Sequence, residues 1–229
     1  APNSGELCTF DVMGSKIGIT ICEDFWRVDD PQDFRCYGED LGVRLKHAGA
    51  NILLNLSASP YHRGKVQERQ DIVRSVSVKT ELPMLYLNLV GGNDDIIFDG
   101  RSLAWDSKGV EISRAAAYKP DTLYFEWSNN ELQPISPPAQ PLLQDDSPED
   151  VAEALALGLR DFVSKCGLSK VVIGLSGGID SAVTASLASY ALGAENVIGV
   201  AMPSQISTSD SHEDARQMAE ALGLDFKTI

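Results

Sequence analysis

The run Val171-Val172-Ile173-Gly174-Leu175-Ser176-Gly177-Gly178-Ile179-Asp180-Ser181 constrains the fold of this chain more than any other segment. An apolar, strand-forming stretch enters a glycine-rich turn, and the turn enters a helix. Gly177 and Gly178 let the backbone turn tightly and bring its N–H groups close to an anion. The helix N-terminus adds its dipole, and Ser176 and Ser181 can donate hydroxyl hydrogen bonds. Asp180 would repel a phosphate unless a cation stood between them, so it reads as a magnesium ligand. No Lys-Ser/Thr follows the glycines, and the spacing is not GxGxxG, so two common phosphate loops are excluded. The competing reading is a plain strand-to-helix turn whose glycines only relieve backbone strain.

The surrounding pattern is regular. Ser147, Pro148 and Asp150 mark a helix start. Val151, Leu155, Leu159, Phe162 and Val163 give that helix its expected buried stripe, and Gly167 ends it. Strands are predicted over 170–175, 197–202 and 225–229, with helices over 181–192 and 211–222. Such alternation implies a parallel, doubly wound sheet, of which three strands are only a beginning.

Residues 1–127 also read as strands with intervening helices. Ile17, Ile19 and Ile21 alternate with Gly18, Thr20 and Cys22, the mark of a strand. Leu41, Leu45 and Ala48 recur at helical spacing before Gly49. Further strands are predicted over 51–56, 84–90 (broken by Gly91-Gly92) and 122–127. A helix is predicted over about 64–80. Phe98–Trp105 and Val110–Ile112 read as a hairpin around Asp106-Ser107-Lys108-Gly109. Between Asn129 and Pro148 fall five of the eleven prolines, which marks an extended linker. The expected organisation is therefore a domain over 1–128, a linker over 129–147 and a second domain over 148–229.

Charge and cysteine usage limit the partners. A net charge of −14 argues against a non-specific nucleic-acid or anionic-membrane surface. No apolar run reaches the roughly 18 residues of a membrane span, so a soluble chain is expected. Cys8, Cys22, Cys36 and Cys166 form no CxxC pair and lack histidines at zinc-ligand spacing, so reduced thiols in a cytoplasmic protein are expected. The start, Ala1-Pro2-Asn3-Ser4-Gly5, shows no signal peptide and no initiator Met, and is not expected to be the natural start.

Cys22 stands at the end of an apolar strand, opposite the isoleucines, with Glu23 and Asp24 directly after it. A strand end is where a chain presents a nucleophile, although neighbouring carboxylates would require a cation or base from elsewhere to activate a thiol. An inert, packed cysteine is the competing reading.

Ser176-Gly177-Gly178-Ile179-Asp180-Ser181 resembles the pyrophosphate loop of the N-type ATP pyrophosphatases, which cleave ATP between the α and β phosphates. Gly199-Val200-Ala201-Met202-Pro203-Ser204, followed by Ser207-Thr208-Ser209 and Asp214-Ala215, is similar to the second strand and next helix of the NAD synthetases within that group. The resemblance implies that Met202 borders an adenine pocket; alone, Met202-Pro203 would be a plain strand end. Ile21-Cys22-Glu23-Asp24-Phe25-Trp26 resembles the nucleophile segment of the nitrilase superfamily in its glutamine-amidase branch. Asn55-Leu56-Ser57-Ala58-Ser59-Pro60-Tyr61, Asn88-Leu89-Val90-Gly91-Gly92 and Phe98-Asp99-Gly100-Arg101-Ser102 fit the same domain.

Together the two resemblances imply the α/β architecture of the glutamine-dependent NAD synthetase family. The C-terminal half of a nitrilase-like α-β-β-α sandwich would precede the start of a doubly wound ATP-pyrophosphatase sheet. Family members use a Glu–Lys–Cys triad whose Glu and Lys lie many tens of residues before the cysteine. Glu6 and Lys16 are too near Cys22 to serve, so the chain is expected to be an internal segment, inactive alone as a glutaminase. The resemblance implies Cys22 as nucleophile, with Glu23, Ser57, Ser59 and Arg63 on the glutamine side; each of these four could instead be a loop or capping residue. It implies Ser176, Gly177, Gly178, Asp180, Ser181 and Met202 on the ATP side, with magnesium at Asp180. The expected reaction is ATP-dependent amidation of nicotinic acid adenine dinucleotide to NAD through an acyl-adenylate. Glutamine supplies the ammonia, which passes internally between the sites, and a homo-oligomer is implied. Alternatives are an ATP-pyrophosphatase amidotransferase with another acceptor, such as asparagine or GMP synthetase, and an inactive nucleotide-binding fragment.

Overall fold

A computed structural model describes residues 6–26, 40–135, 144–203 and 209–229. Cys36, most of the prolines of the expected linker (Pro137, Pro138, Pro141), and Ser204, Ser207 and Thr208 lie outside the described residues. The chain divides into two units, Ala1–Val90 with Phe98–Ser147, and Gly91–Ile97 with Pro148–Ile229.

The first unit is organised by three parallel strands, β2 (Ser15–Ile21), β3 (Ile52–Ser57) and β4 (Met84–Asn88). Helices α1 (Leu41–His47) and α2 (Lys65–Thr80) make the crossovers that parallel pairing requires. Antiparallel neighbours extend the sheet, β1 (Cys8–Val12) beyond β2, then β7 (Leu103–Trp105) and β8 (Glu111–Arg114) beyond β4. The core includes Leu45, Leu53, Val73, Met84, Tyr86 and Trp105. Gly18 and Thr20 are buried with it, whereas Ile21 on the alternate face is 63% exposed.

Three expectations are corrected here. Gly91-Gly92 do not break a strand; they lie within β5 (Val90–Asn93), which pairs with β6 (Ile96–Asp99). Phe98–Trp105 is not continuous, because Gly100 (φ +68°) and Arg101 (φ +51°) turn the chain out of β6 before β7 begins. The first residues of the expected linker form a strand, β10 (Glu131–Pro134), paired with β9 (Phe125–Ser128) across Asn129-Asn130. Both asparagines have positive φ, as a two-residue hairpin turn demands. Farther on, the Asp146 carboxylate accepts the Gly64 N–H (2.9 and 3.0 Å), and Asp145 pairs with Arg114 at 3.2 Å.

A charged cluster lies inside this unit. Asp99, fully buried, accepts from Arg69 at 2.6 Å and from Arg101 at 3.0 Å. Asn88 joins it by donating to Asp99 (3.3 Å) and to the Gly100 carbonyl (3.0 Å).

The second unit begins with α3 (Pro148–Lys165) and continues as β11 (Val171–Gly174), α4 (Ile179–Leu192), β12 (Val197–Ala201), α5 (Ser209–Leu222) and β13 (Asp225–Thr228). The three strands pair in parallel in sequence order. Leu175, Ala185, Ala215 and Ala219 form the core, with Phe226 against them. Gly199 is in close contact with Leu175, whose terminal methyl would stand 2.7 Å from a Cβ placed there and would have to shift. The stripe expected on α3 is also corrected. Leu155 and Phe162 are 47% and 49% exposed, and the buried positions are Asp150, Ala154, Ala156, Leu157 and Val163. Close approach governs this helix, because Gly158 lies against Gly92 and Ile97.

Candidate functional site

Two sets of residues converge, one in each unit. In the first, β2 ends at Ile21 and a single 3-10 turn follows over Cys22–Phe25. Cys22 takes φ +48°, a left-handed conformation that is uncommon outside glycine. The Asp24 carboxylate accepts from the Ile21 N–H at 2.8 Å, and the Trp26 N–H donates to the Glu23 carbonyl at 3.0 Å, so the turn is held at both ends. Trp26 is buried beneath it, and the Lys65 ammonium lies 3.8 Å from an indole ring centroid. Cys22 is half-buried and carries a free thiol.

A polar row sits under this turn on the helix-covered face. Thr20, Asn55 and Tyr86 are direct neighbours in register across β2, β3 and β4, and all three are buried. The Asn55 amide donates to Thr20 Oγ1 (2.9 Å) and to the Cys22 carbonyl (3.3 Å), while its oxygen accepts from Ser57 Oγ at 2.5 Å. Burial pushes the Tyr86 hydroxyl above the ordinary phenol range, and nearby Ser57 and Ser59 oppose that rise. Ser59 also donates its backbone N–H to Asn88 Oδ1 at 2.9 Å.

Of the residues singled out in the sequence, Ser57 is thus linked through Asn55 to the Cys22 backbone, and Ser59 is buried and bonded to Asn88. Glu23 and Arg63 are exposed, Arg63 in the turn before α2. Asn55, Tyr86 and Asn88 were not among the candidates. Their signal was a polar residue within otherwise apolar strands, Ile52-Leu53-Leu54-Asn55 and Met84-Leu85-Tyr86-Leu87-Asn88.

In the second unit the chain leaves β11 at Gly174 and turns through Ser176-Gly177-Gly178 into α4. Gly177 has φ +76°, and a Cβ on it would run into the Ser211 backbone. Gly178 occupies the N-cap of α4, so the first N–H groups of the helix have no side-chain cap. Ser176 and Ser181 meet at 3.1 Å between hydroxyls, and Ser176 Oγ accepts from the Gly178 N–H at 3.3 Å. The two serines therefore hold the loop open with hydroxyls that face solvent. Met202, 62% exposed at the end of β12, places its methyl 3.3 Å from where a Gly174 Cβ would be. A cleft of about 320 Å³ adjoins the loop, lined by Leu175, Gly177, Gly178, Ser181, Asp214 and Met218.

Asp180 projects from the exposed first turn of α4. Among the described residues, no three His, Cys, Asp or Glu side chains converge to hold a metal. One exposed carboxylate nevertheless fits magnesium, which commonly takes one or two carboxylates and completes its shell with phosphate oxygens and water.

A parallel α/β unit with uncapped helix N–H groups and paired hydroxyls after its first strand is of the phosphate-loop class. Comparison with known proteins agrees. Residues 151–229 match the NAD synthase family model. The chain is 41% identical over 216 residues to the glutamine-dependent NAD(+) synthetase of Synechocystis, covering 93% of this chain and 38% of that protein. It is 36% identical over 253 residues to the enzyme so named from Aquifex aeolicus, covering 98% and 43%. Among solved structures, the Acinetobacter baumannii glutamine-dependent NAD+ synthetase in complex with ADP is 32% identical with a TM-score of 0.84, over 98% of this chain and 40% of that one. The Cytophaga hutchinsonii synthetase, 22% identical with a TM-score of 0.70 over 97% of this chain and 40% of its own, shares the fold. The chain is thus homologous over nearly its whole length to glutamine-dependent NAD synthetases, and spans about two fifths of theirs.

Proposed function

We propose that the protein carrying this chain is a glutamine-hydrolysing, ATP-dependent NAD synthetase. The observation that carries the reading is the pairing, in one homologous chain, of a cysteine held in a left-handed turn with an uncapped phosphate-type loop. In the first step the Cys22 thiolate attacks the glutamine amide carbonyl, a thioester forms, ammonia departs and water releases glutamate. Ser57 and Ser59 line the glutamine side, with Glu23 and Arg63 at its exposed rim. In the second, the carboxylate of nicotinic acid adenine dinucleotide attacks the ATP α-phosphate, giving an acyl-adenylate and pyrophosphate. Backbone N–H groups of Gly177 and Gly178 and the hydroxyls of Ser176 and Ser181 hold the pyrophosphate, and Met202 borders the adenine. Asp180 would hold magnesium, which supplies charge neutralisation at the phosphates when bound. Ammonia then displaces AMP to give NAD.

Free thiols at Cys8, Cys22 and Cys166 support a reducing, cytoplasmic setting. Among the described residues no helix is long and apolar enough to cross a membrane.

The test separates the two sites in the protein expressed from its complete reading frame. Cys22→Ala should abolish glutamate release and glutamine-dependent NAD formation while free ammonium still supports NAD formation. Asp180→Ala should do the reverse, retaining glutamine hydrolysis and losing NAD. Glutamine-dependent NAD formation at the normal rate by Cys22→Ala would overturn the nucleophile assignment. Normal NAD synthesis by Asp180→Ala would overturn the metal-ligand assignment.

A further inference from the structure

A cysteine at φ +48° occupies a backbone region that an L-residue with a Cβ enters only at a cost, so neighbouring groups must hold it there. The turn from β2 into the 3-10 helix swings the Cys22 carbonyl toward the top of β3, and there it meets the Asn55 amide at 3.3 Å. That amide has little freedom. Its second hydrogen goes to Thr20 Oγ1 at 2.9 Å, and its oxygen receives the Ser57 hydroxyl at 2.5 Å. Rotating the amide by half a turn would set its oxygen against the acceptor-only Cys22 carbonyl, whereas the Thr20 and Ser57 hydroxyls could serve either orientation, so the Cys22 carbonyl selects the one observed. Asn55 is fully buried, so each lost contact would go unreplaced by water.

Further polar groups lie away from the turn. Tyr86 stands beside Asn55 in register on β4, and past it the Ser59 N–H donates to Asn88, whose amide is anchored on the buried Asp99. Asn55 therefore ties the strained residue at the strand end to the Thr20 and Ser57 hydroxyls.

We propose that Asn55 is a positioning residue, whose buried amide holds the Cys22 carbonyl and so fixes the left-handed backbone that aims the Cys22 thiol at its substrate. The proposal rests on the reading of Cys22 as the glutamine nucleophile. It places the action of Asn55 on the turnover step, since displacement of a nucleophile by about 1 Å can cost on the order of 100-fold in rate.

The experiment uses the complete-frame protein and three variants. Asn55→Asp keeps the side chain's shape and replaces the donating NH2 by an oxygen; Asn55→Leu removes the polarity; Thr20→Val removes the other anchor of the amide while leaving its contact with Cys22. Glutamine hydrolysis is measured as kcat and KM, and Cys22 reactivity by its alkylation rate with iodoacetamide from pH 6 to 10. Ammonium-driven NAD formation reports an intact fold at the other site. Expected are a 10- to 100-fold fall in glutamine kcat for both Asn55 variants with KM changed less than threefold. A smaller fall is expected for Thr20→Val, and ammonium-driven synthesis stays within twofold of wild type. The alkylation profile of the Asn55 variants should differ from wild type without any glutamine present. Should Asn55→Leu fail to fold, Asn55→Asp and Thr20→Val decide the question. Wild-type kcat in those two, alongside an inactive Cys22→Ala, overturns the positioning role and leaves the nucleophile standing. Activity retained by Cys22→Ala overturns the underlying reading instead.

Discussion

Replacing Gly177 by alanine tests the phosphate loop where its geometry is most demanding. At φ +76° an L-residue costs about 1–2 kcal/mol relative to glycine. Reduced freedom of the unfolded chain returns about 0.4–1 kcal/mol of that. The added Cβ would also meet backbone atoms of Ser211, its Cα at 3.0 Å and its carbonyl carbon at 3.1 Å. Backbone in the first turns of α5 cannot swing aside as a flexible side chain would, so an overpacking cost of about 1–3 kcal/mol is added. Together these come to about 1–5 kcal/mol, a large share of a domain's stability.

Gly167 supplies the internal control. It has φ +69° and nothing within 4 Å of its would-be Cβ, so Gly167→Ala carries the backbone cost without the collision. Urea unfolding of the two variants should therefore differ by about 1–3 kcal/mol, with Gly177→Ala the weaker. Binding should separate them more sharply, because the Gly177 N–H lies in the turn proposed to hold phosphate. ATP should raise the melting temperature of Gly167→Ala as it does for wild type, and raise that of Gly177→Ala little or not at all. Equal urea midpoints and equal ATP-induced shifts in the two variants would refute this account of the loop.

Two further outcomes are expected. Asp99→Asn keeps the shape of a fully buried side chain but leaves Arg69 and Arg101 without its charge, so a loss of about 3–5 kcal/mol is expected by urea titration; a loss below about 1 kcal/mol would show that the cluster is not charge-driven. Glu213 has its pKa lowered to about 2 by hydrogen bonds from Arg216 and Gln217, so its contribution is present above the ordinary value of 4.5 and is lost as pH falls from 4.5 toward 2. Glu213→Gln should flatten the urea midpoint over that window and leave it parallel to wild type above pH 5; an unchanged slope between pH 4.5 and 2 would contradict the assignment.

What could be read from the sequence was whatever hydrophobic period and glycine placement encode. The strands at Ser15–Ile21 and Ile52–Ser57, the helix at Lys65–Thr80 and the whole alternation from Val171 onward follow those signals. The strand Cys8–Val12 carried no such signal. It is an edge strand whose residues are mostly exposed, and its turn depends on Met13 and Gly14, both at positive φ. The face of α3 was misjudged for a related reason. Hydrophobicity favours Leu155 and Phe162, but a close approach to Gly92 selects the face carrying Ala154 and Gly158. At the Cys22 site the sequence indicated a candidate nucleophile and two candidate serines. It could not show that Asn55 and Tyr86 stand beside Thr20, because that depends on the register of three parallel strands joined by long crossovers.

Both units place their chemistry just past the carboxyl ends of parallel strands, where α/β sheets leave room for a ligand. Cys22 follows β2, Ser59 follows β3, Ser176 follows β11 and Met202 follows β12. The means differ, and the difference has consequences. After β11 the candidate phosphate site is made of backbone N–H groups and hydroxyls, so its strictest demand falls on Gly177. After β2 the proposed reactive group is a side chain on a strained backbone, its position held, on our proposal, by the Asn55 amide beneath it. Substitutions at the loop should therefore act chiefly on nucleotide affinity, whereas substitutions in the buried row should act on the rate of glutamine turnover at nearly constant KM. That split holds only if the row exists to orient Cys22; a buried network kept for stability alone would lower both activities together as the protein loses its fold.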